Sequence, residues 1–233
     1  MDTNLLKIVI INGSPHSSIS NTQQLNEMLI KAIEKETNVT FTTHYLTKEN
    51  IMICRGCTRC MRKGSCVIAD KDDVHTIIND LLEADFIIFS SPVYVSNISS
   101  LLKIFFERCA YITHRIALEG KIGVSVVSSQ SQETEHVTCY MNSVMESMGI
   151  HILGSIAGNA FFHGKFENLD KIREDIQAIV SNLLSYDPND EGNFSDSEIK
   201  RRAKFQTLMK MESVSKILFK EDYKYWNDKE KSQ

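Results

Sequence analysis

Two unbroken apolar runs, Ile8-Val9-Ile10-Ile11 and Phe86-Ile87-Ile88-Phe89, limit most strongly what this chain can fold into. A run without polar alternation suits a strand covered on both faces, and such strands belong to parallel sheets sandwiched between helices. Each run is stopped hard, the first by Asn12-Gly13-Ser14-Pro15 and the second by Ser90-Ser91-Pro92. Val39 to Tyr45 alternates with Thr and reads as a half-exposed edge, while Ile122 to Ser128 and His151 to Ala157 read as the fourth and fifth strands.

Helical periodicity fills the spaces between these strands. Leu25, Met28, Leu29, Ala32 and Ile33 recur at i, i+3, i+4, i+7 and i+8, the stripe of an amphipathic helix. The same pattern holds for Val74, Ile77, Ile78, Leu81 and Leu82, with Asp72 or Asp73 as cap. It recurs in Leu101, Leu102, Phe105, Phe106 and Cys109, then from Val137 to Met148 and from Leu169 to Leu183. Strands alternating with helices predict a doubly wound α/β fold with a five-stranded parallel sheet in the order 2-1-3-4-5.

In such a sheet ligands sit beyond the carboxyl ends of the strands, where the strand order reverses between the first and third. The loops there run from Gly13 to Thr22 and from Ser91 to Ser99. Ser14, His16, Ser17, Ser18, Ser20, Asn21 and Thr22 lead into a helix start, where free N–H groups and the positive end of the helix dipole suit a phosphate. With one glycine and no following Lys, the loop is neither a Walker A motif nor a G-x-G-x-x-G turn. The plainer alternative is that Ser20 to Thr22 only cap the helix.

Four of the six cysteines, Cys54, Cys57, Cys60 and Cys66, fall within thirteen positions in the spacing C-x2-C-x2-C-x5-C. Cysteines used for packing scatter, as Cys109 and Cys139 do. Gly56, Gly64 and the surrounding polar and basic residues predict an irregular loop able to turn its thiolates inward. Compact thiolate spacing favours an iron-sulfur cluster, as in the related ferredoxin run. Structural zinc usually takes two separated knuckles, and thiols carrying no metal are a third reading. Arg55, Arg59, Arg62 and Lys63 crowd the same loop. Their charge would raise the potential of a cluster, activate metal-free thiols, or simply be solvated.

With 42% hydrophobic and 24% charged residues in 233, the chain can bury a full core. Its net charge of -4 supplies no basic field for nucleic acid or an anionic membrane. No signal segment or membrane span is legible, which predicts a cytoplasmic protein. The expected division is a sheet domain over 1–186 with the cysteine loop at 54–66, then a linker and helical extension over 187–233. The extension holds a capping box at Ser195 and Glu198 and the apolar residues Phe205, Leu208, Met209, Ile217, Leu218, Phe219, Tyr223 and Trp226. That much apolar surface must pack on its own domain or clasp a second subunit. His44, His75, His114, His136, His151 and His163 carry no assigned role, and no hydrolase motif is present.

Ile11 to Pro15 with Ser20-Asn21-Thr22, the cysteine loop ending in Ala69 to Asp73, and Ser91-Pro92-Val93-Tyr94 with Leu102 to Arg108 resemble the NADPH-dependent FMN reductase family over roughly residues 6 to 160. Within it, the cysteine spacing is similar to that of the iron-sulfur flavoproteins, flavodoxin-fold proteins with FMN and a 4Fe-4S cluster. The resemblance implies that Ser14, His16, Ser20, Asn21 and Thr22 hold the FMN phosphate. It implies that Pro92, Val93, Tyr94, Val95 and Ser96 line the ring and ribityl chain, and that Cys54, Cys57, Cys60 and Cys66 hold the cluster. His16 stands where relatives often carry Arg, and Ser128 to Glu133 where relatives carry a glycine-rich loop.

The expected function is that of an FMN-dependent oxidoreductase in which a 4Fe-4S cluster passes electrons to or from FMN. Expected redox partners are NAD(P)H, ferredoxin, a quinone or oxygen species, and the expected assembly is a homodimer or homotetramer. The alternatives are a clusterless NAD(P)H-dependent FMN or quinone reductase, and a non-enzymatic electron carrier or redox sensor. A zinc-bearing interaction module is more distant.

Overall fold

The computed structural model describes residues 5–130, 134–187, 199–200, 203–204, 207, 211 and 216–231. At its centre β1 (Leu6–Asn12) lies between β2 (Val39–Tyr45) and β3 (Phe86–Tyr94), all parallel. A two-residue strand, β4 (Asn97–Ile98), folds back antiparallel on the end of β3. Then β5 (Ile122–Ser129) pairs parallel with β3, and β6 (His151–Asn159) closes the far edge. The order β2-β1-β3-β5-β6 is the expected 2-1-3-4-5 once the hairpin strand is set aside. That extra strand arises because Val95 and Ser96 both take positive φ, 48° and 56°, and reverse the chain within two residues.

The apolar runs behave as strands buried on both faces. Ile8, Ile10, Phe86 and Ile88 point to one face, where α1 (Asn21–Ile33) and α7 (Leu169–Ser185) cover them. Ile11, Ile87 and Phe89 point to the other, under α3 (Val74–Glu83), α4 (Ser100–Arg108), α5 (Ala110–Arg115) and α6 (Glu135–Met148). The period-2 side-chain alternation of a strand produces two cores from one unbroken apolar run. At the outer strand β2, Thr40, Phe41 and Thr42 are exposed.

The cysteine segment departs from the expected irregular loop, because α2 (Arg59–Lys63) is helical. Thr58 before it and Gly64 after it are both left-handed, with φ 54° and 78°, and the Gly64 N–H donates to the Cys60 carbonyl at 3.1 Å. A single turn closed this way needs no amphipathic stripe. Asp73 stands at the start of α3 but does not cap it. Its carboxylate instead accepts from the Asn50 N–H at 2.7 Å, tying the exit of the cysteine segment to its entrance.

Beyond Asp187 the described residues include α8 (Lys220–Lys231), which packs on α2 and α5 of the same chain. Trp226 is buried against Ile116, with Phe219, Tyr223 and Tyr225 around it. Pro188 to Asn193, the Ser195 and Glu198 capping box, Phe205, Leu208 and Met209 lie outside the described residues. Among the described residues no helix is long and apolar enough to cross a membrane.

Candidate functional site

At the carboxyl ends of β1, β3 and β5 the chain forms an open cleft of about 660 Å³. All ten residues expected to contact the cofactor line it: Ser14, His16, Ser20, Asn21, Thr22, Pro92, Val93, Tyr94, Val95 and Ser96. The reversal of strand order between β1 and β3 opens the sheet there, as a doubly wound topology requires. Gly13 makes the close approach that holds the two loops together. A Cβ there would stand 2.8 Å from Leu102 Cβ and 2.9 Å from Ser99 Oγ. Ser99 Oγ donates to the Gly13 carbonyl at 2.7 Å and accepts from the Leu102 N–H, so one hydroxyl both caps α4 and pins the first loop.

The hydroxyls of the phosphate loop are more committed than their number suggests. Ser20 Oγ donates to the Ser17 carbonyl at 3.0 Å and accepts from the Gln23 N–H at 3.1 Å, so its proton is spent on the cap. Thr22 Oγ1 is hydrogen-bonded to Ser128 Oγ at 2.7 Å, and Asn21 Oδ1 accepts from the Gly164 N–H at 2.8 Å. The Asn21 and Thr22 backbone N–H groups open α1 and have no acceptor among the described contacts. They are the donors an anion would meet, reinforced by the dipole of a thirteen-residue helix. Among the described residues no Lys or Arg lines the cleft.

Sequence reasoning missed Ile19 and the loop after β6, where Ala160, Phe161 and His163 line the cleft. The exposed, mutually edge-on pair Phe161 and Phe162 was the available signal, since aromatic neighbours in an exposed turn have little packing reason to be there. Ser128, Ser129 and Gln130 also reach the cleft. Ser131, Gln132 and Glu133 lie outside the described residues. Opposite the phosphate loop, Val95 is wholly exposed in its left-handed turn, and His136 Nε2 hydrogen-bonds the Ser96 carbonyl. This cleft suits FMN, with free helix-start amides for a phosphate and Pro92, Tyr94 and Phe161 among its lining residues for a planar ring.

None of the four clustered cysteines lines the cleft. All four are free thiols, Cys57 exposed and Cys54, Cys60 and Cys66 half-buried. Among the described residues no three His, Cys, Asp or Glu side chains converge as a metal site. The donor set itself, four thiols on one segment outside the core, is one that either a cubane cluster or a zinc ion could take. The sequence pointed to Arg55, Arg59, Arg62 and Lys63 as the charges around these thiols. All four are exposed, and among them Arg62 bonds the Cys57 carbonyl, at 2.8 Å. Two arginines remote in sequence reach the segment as well. Arg108 Nη2 donates toward Cys66 Sγ at 3.7 Å, and Arg115 Nη2 to the Cys60 carbonyl at 3.4 Å. Nor is Cys60 activated. Burial first, then the Cys66 and Asp222 charges, push its thiol up despite lowering by backbone hydrogen bonds.

Arg108 is held by Asp72, whose side chain has no exposed surface. Burial alone would raise the Asp72 carboxyl. The Arg108 hydrogen bonds and the Met52 and Val74 amides outweigh it and hold the carboxyl below its ordinary range.

Known proteins agree with this architecture. An iron-sulfur flavoprotein of Archaeoglobus fulgidus is 31% identical over 230 residues, covering 96% of this chain and 99% of that protein. Among solved structures, the apo form of an NADH:FMN oxidoreductase aligns with a TM-score of 0.58 at 20% identity, over 81% of this chain and 93% of that one. RosB, solved with a bound flavin-type intermediate, aligns with a TM-score of 0.59 at 16% identity, over 87% of both chains. Those two likenesses speak to the fold. The NADPH-dependent FMN reductase family model matches residues 6–163, which spans every strand of the sheet and every wall of the cleft, and the chain belongs to that family as a flavin-dependent oxidoreductase.

Proposed function

We propose that this chain carries FMN in the cleft and a 4Fe-4S cluster on Cys54, Cys57, Cys60 and Cys66, and moves electrons between a soluble donor and an acceptor by way of both. One observation carries the coupling. Helix α4 is capped by Ser99, which is bonded to Gly13 at the start of the first cleft loop, and ends at Arg108, whose guanidinium lies against Cys66. Its nine residues span about 14 Å at 1.5 Å per residue. One rigid helix therefore ties the flavin loops to the cysteine segment.

When bound, FMN supplies two-electron and one-electron chemistry, and a cluster supplies one-electron chemistry. The residues supply binding and placement. The Asn21 and Thr22 amides take the phosphate, and Tyr94, Pro92 and Phe161 hold the ring plane. His16 and His163 are the two histidines on the cleft wall. The donor is NAD(P)H or a ferredoxin, and the acceptor a quinone, an oxygen species or a protein. The chain works as a cytoplasmic homodimer or homotetramer.

A clusterless NAD(P)H-dependent FMN or quinone reductase is the second reading, favoured by the lack of convergence of the thiols among the described residues. Anaerobic purification with iron, acid-labile sulfide and flavin assays separates the two. About four iron per chain beside one FMN is expected, with the iron lost and the FMN kept when the four cysteines become serine. Flavin without iron after reconstitution would leave the clusterless reductase. A protein that binds no flavin would defeat both readings.

A further inference from the structure

Among the described residues beyond Asp187, only two side chains are buried, Asp222 and Trp226. They lie four apart, on one face of α8. Both address the last turn of α5. Trp226 Nε1 donates to the His114 carbonyl at 3.0 Å, while Asp222 Oδ1 accepts from Arg115 Nε at 2.8 Å and Oδ2 lies 3.2 Å from His114 Nδ1. A carboxylate with no exposed surface is costly unless it is paired. Here Oδ1 accepts from Arg115 Nε, while Oδ2 lies at ion-pair distance from His114 Nδ1 but makes no hydrogen bond with it.

Arg115 does not stop at Asp222. Its guanidinium lies over the rings of Tyr111 and Tyr225, at 5.3 and 5.7 Å, and its far nitrogen Nη2 reaches the Cys60 carbonyl. A planar fork can satisfy Asp222 through Nε and Cys60 through Nη2, a separation that the single nitrogen of a lysine does not offer. On the other side of α2, Gly64 closes against the Glu221 side chain, the nearest group to a Cβ added there, at 3.5 Å. The turn that carries Cys60 is thus held between α5 and α8.

We propose that α8 is a working part of the cysteine site, with Asp222 as a positioning residue that acts through Arg115 to hold Cys60 in place. This rests on the reading of the segment as the seat of a cluster. It makes helix α8 a clamp, from within the same chain, on one cysteine of the four.

The test uses the full-length reduced chain without cluster, iodoacetamide as probe and peptide mapping to score each cysteine. In Asp222→Asn, labelling of Cys60 is compared over a pH series, because loss of the Asp222 charge also lowers the thiol pKa. At its high-pH plateau it is expected to rise about tenfold through local opening, while labelling of Cys57 and affinity for FMN stay as in the unaltered chain. Arg115→Lys keeps a charge beside Asp222 but loses the fork, and the same selective rise is expected. It decides the matter if Asp222→Asn fails to bind FMN. After reconstitution with ferrous iron and sulfide, both variants are expected to yield iron to a ferrous chelator faster than the unaltered chain. Unchanged Cys60 labelling, or a rise shared equally by Cys54, Cys57 and Cys66, would overturn the clamp. Selective labelling in a chain that never takes up iron would keep the clamp and remove the cluster. Normal iron retention in both variants would keep the cluster and remove the clamp.

Discussion

The Asp72 and Arg108 pair is the joint on which the cysteine segment hangs, and its removal should be felt far more than that of a surface ion pair. Asp72 accepts from both Arg108 nitrogens, from the Met52 N–H at 3.0 Å and from the Val74 N–H at 3.4 Å. The side chains of Arg108 and Asp72 are 3% and 0% exposed. Breaking such a pair by removing one partner costs about 3–5 kcal/mol, because the other charge stays buried. Arg108 would keep the Met52 carbonyl at 2.9 Å and the Cys66 contact, which places Asp72→Leu near the lower bound. Arg108→Met should cost a similar amount by stranding the carboxylate. The double variant should cost less than the sum of the two, with a coupling of at least about 2 kcal/mol. Urea unfolding of the cofactor-free chain measures this, where 3 kcal/mol moves the midpoint by about 1 M or more. Single variants within about 1 kcal/mol of the unaltered chain, or strict additivity, would refute the reasoning. The pH dependence has a definite sign. Because the folded Asp72 carboxyl is held below its ordinary value, its stabilisation is complete above the unfolded pKa of about 4 and is lost as pH falls through the folded value. Asp72→Asn should therefore be weaker at neutral pH and show a flatter acid limb.

Gly13→Ala should cost about 1–3 kcal/mol by overpacking, since its Cβ would meet Leu102 and Ser99 under 3 Å. Paired thermal melts and FMN titrations should show both stability and flavin affinity falling. Ser20→Ala should lose about 1 kcal/mol of helix cap but change flavin affinity less than about threefold, since the hydroxyl proton already serves Ser17. A large affinity loss in calorimetric titration would put Ser20 on the phosphate instead. Val95 is fully exposed at φ 48°, so Val95→Asn should stabilise the cofactor-free chain by about 1 kcal/mol through relief of left-handed strain. A lower melting temperature would show that the valine makes a contact worth more than its strain.

The doubly wound sheet and the place of the flavin cleft were legible because both depend on local information. Ile8 to Ile11 and Phe86 to Phe89 announce buried strands by lacking alternation, and the turns at Gly13-Ser14-Pro15 and Ser91-Pro92 mark where they end. Helical stripes between them leave few topologies once parallel crossovers are right-handed. Ligand loops then follow from strand order alone. The membership of Ser14, Asn21, Thr22 and Tyr94 in one cleft is a consequence of that order.

Tertiary structure decided which partner each polar group took. Thr22 is identical in type to any threonine that could meet a phosphate, yet its hydroxyl is hydrogen-bonded to Ser128, on a strand far along the chain. The four basic residues beside the cysteines were visible in the sequence, but Arg108 and Arg115, forty or more residues beyond the segment's first thiols, make contacts there that no local spacing encodes. Asp222 is further still, and only the docking of α8 on α5 turns an ordinary acidic residue of a polar helix into a buried counter-charge. Hydrophobic periodicity is written along the chain because each residue reports its own burial. The pairing of charges across the fold is not, because a charge's partner depends on two segments meeting, and apolar packing elsewhere determines where they meet.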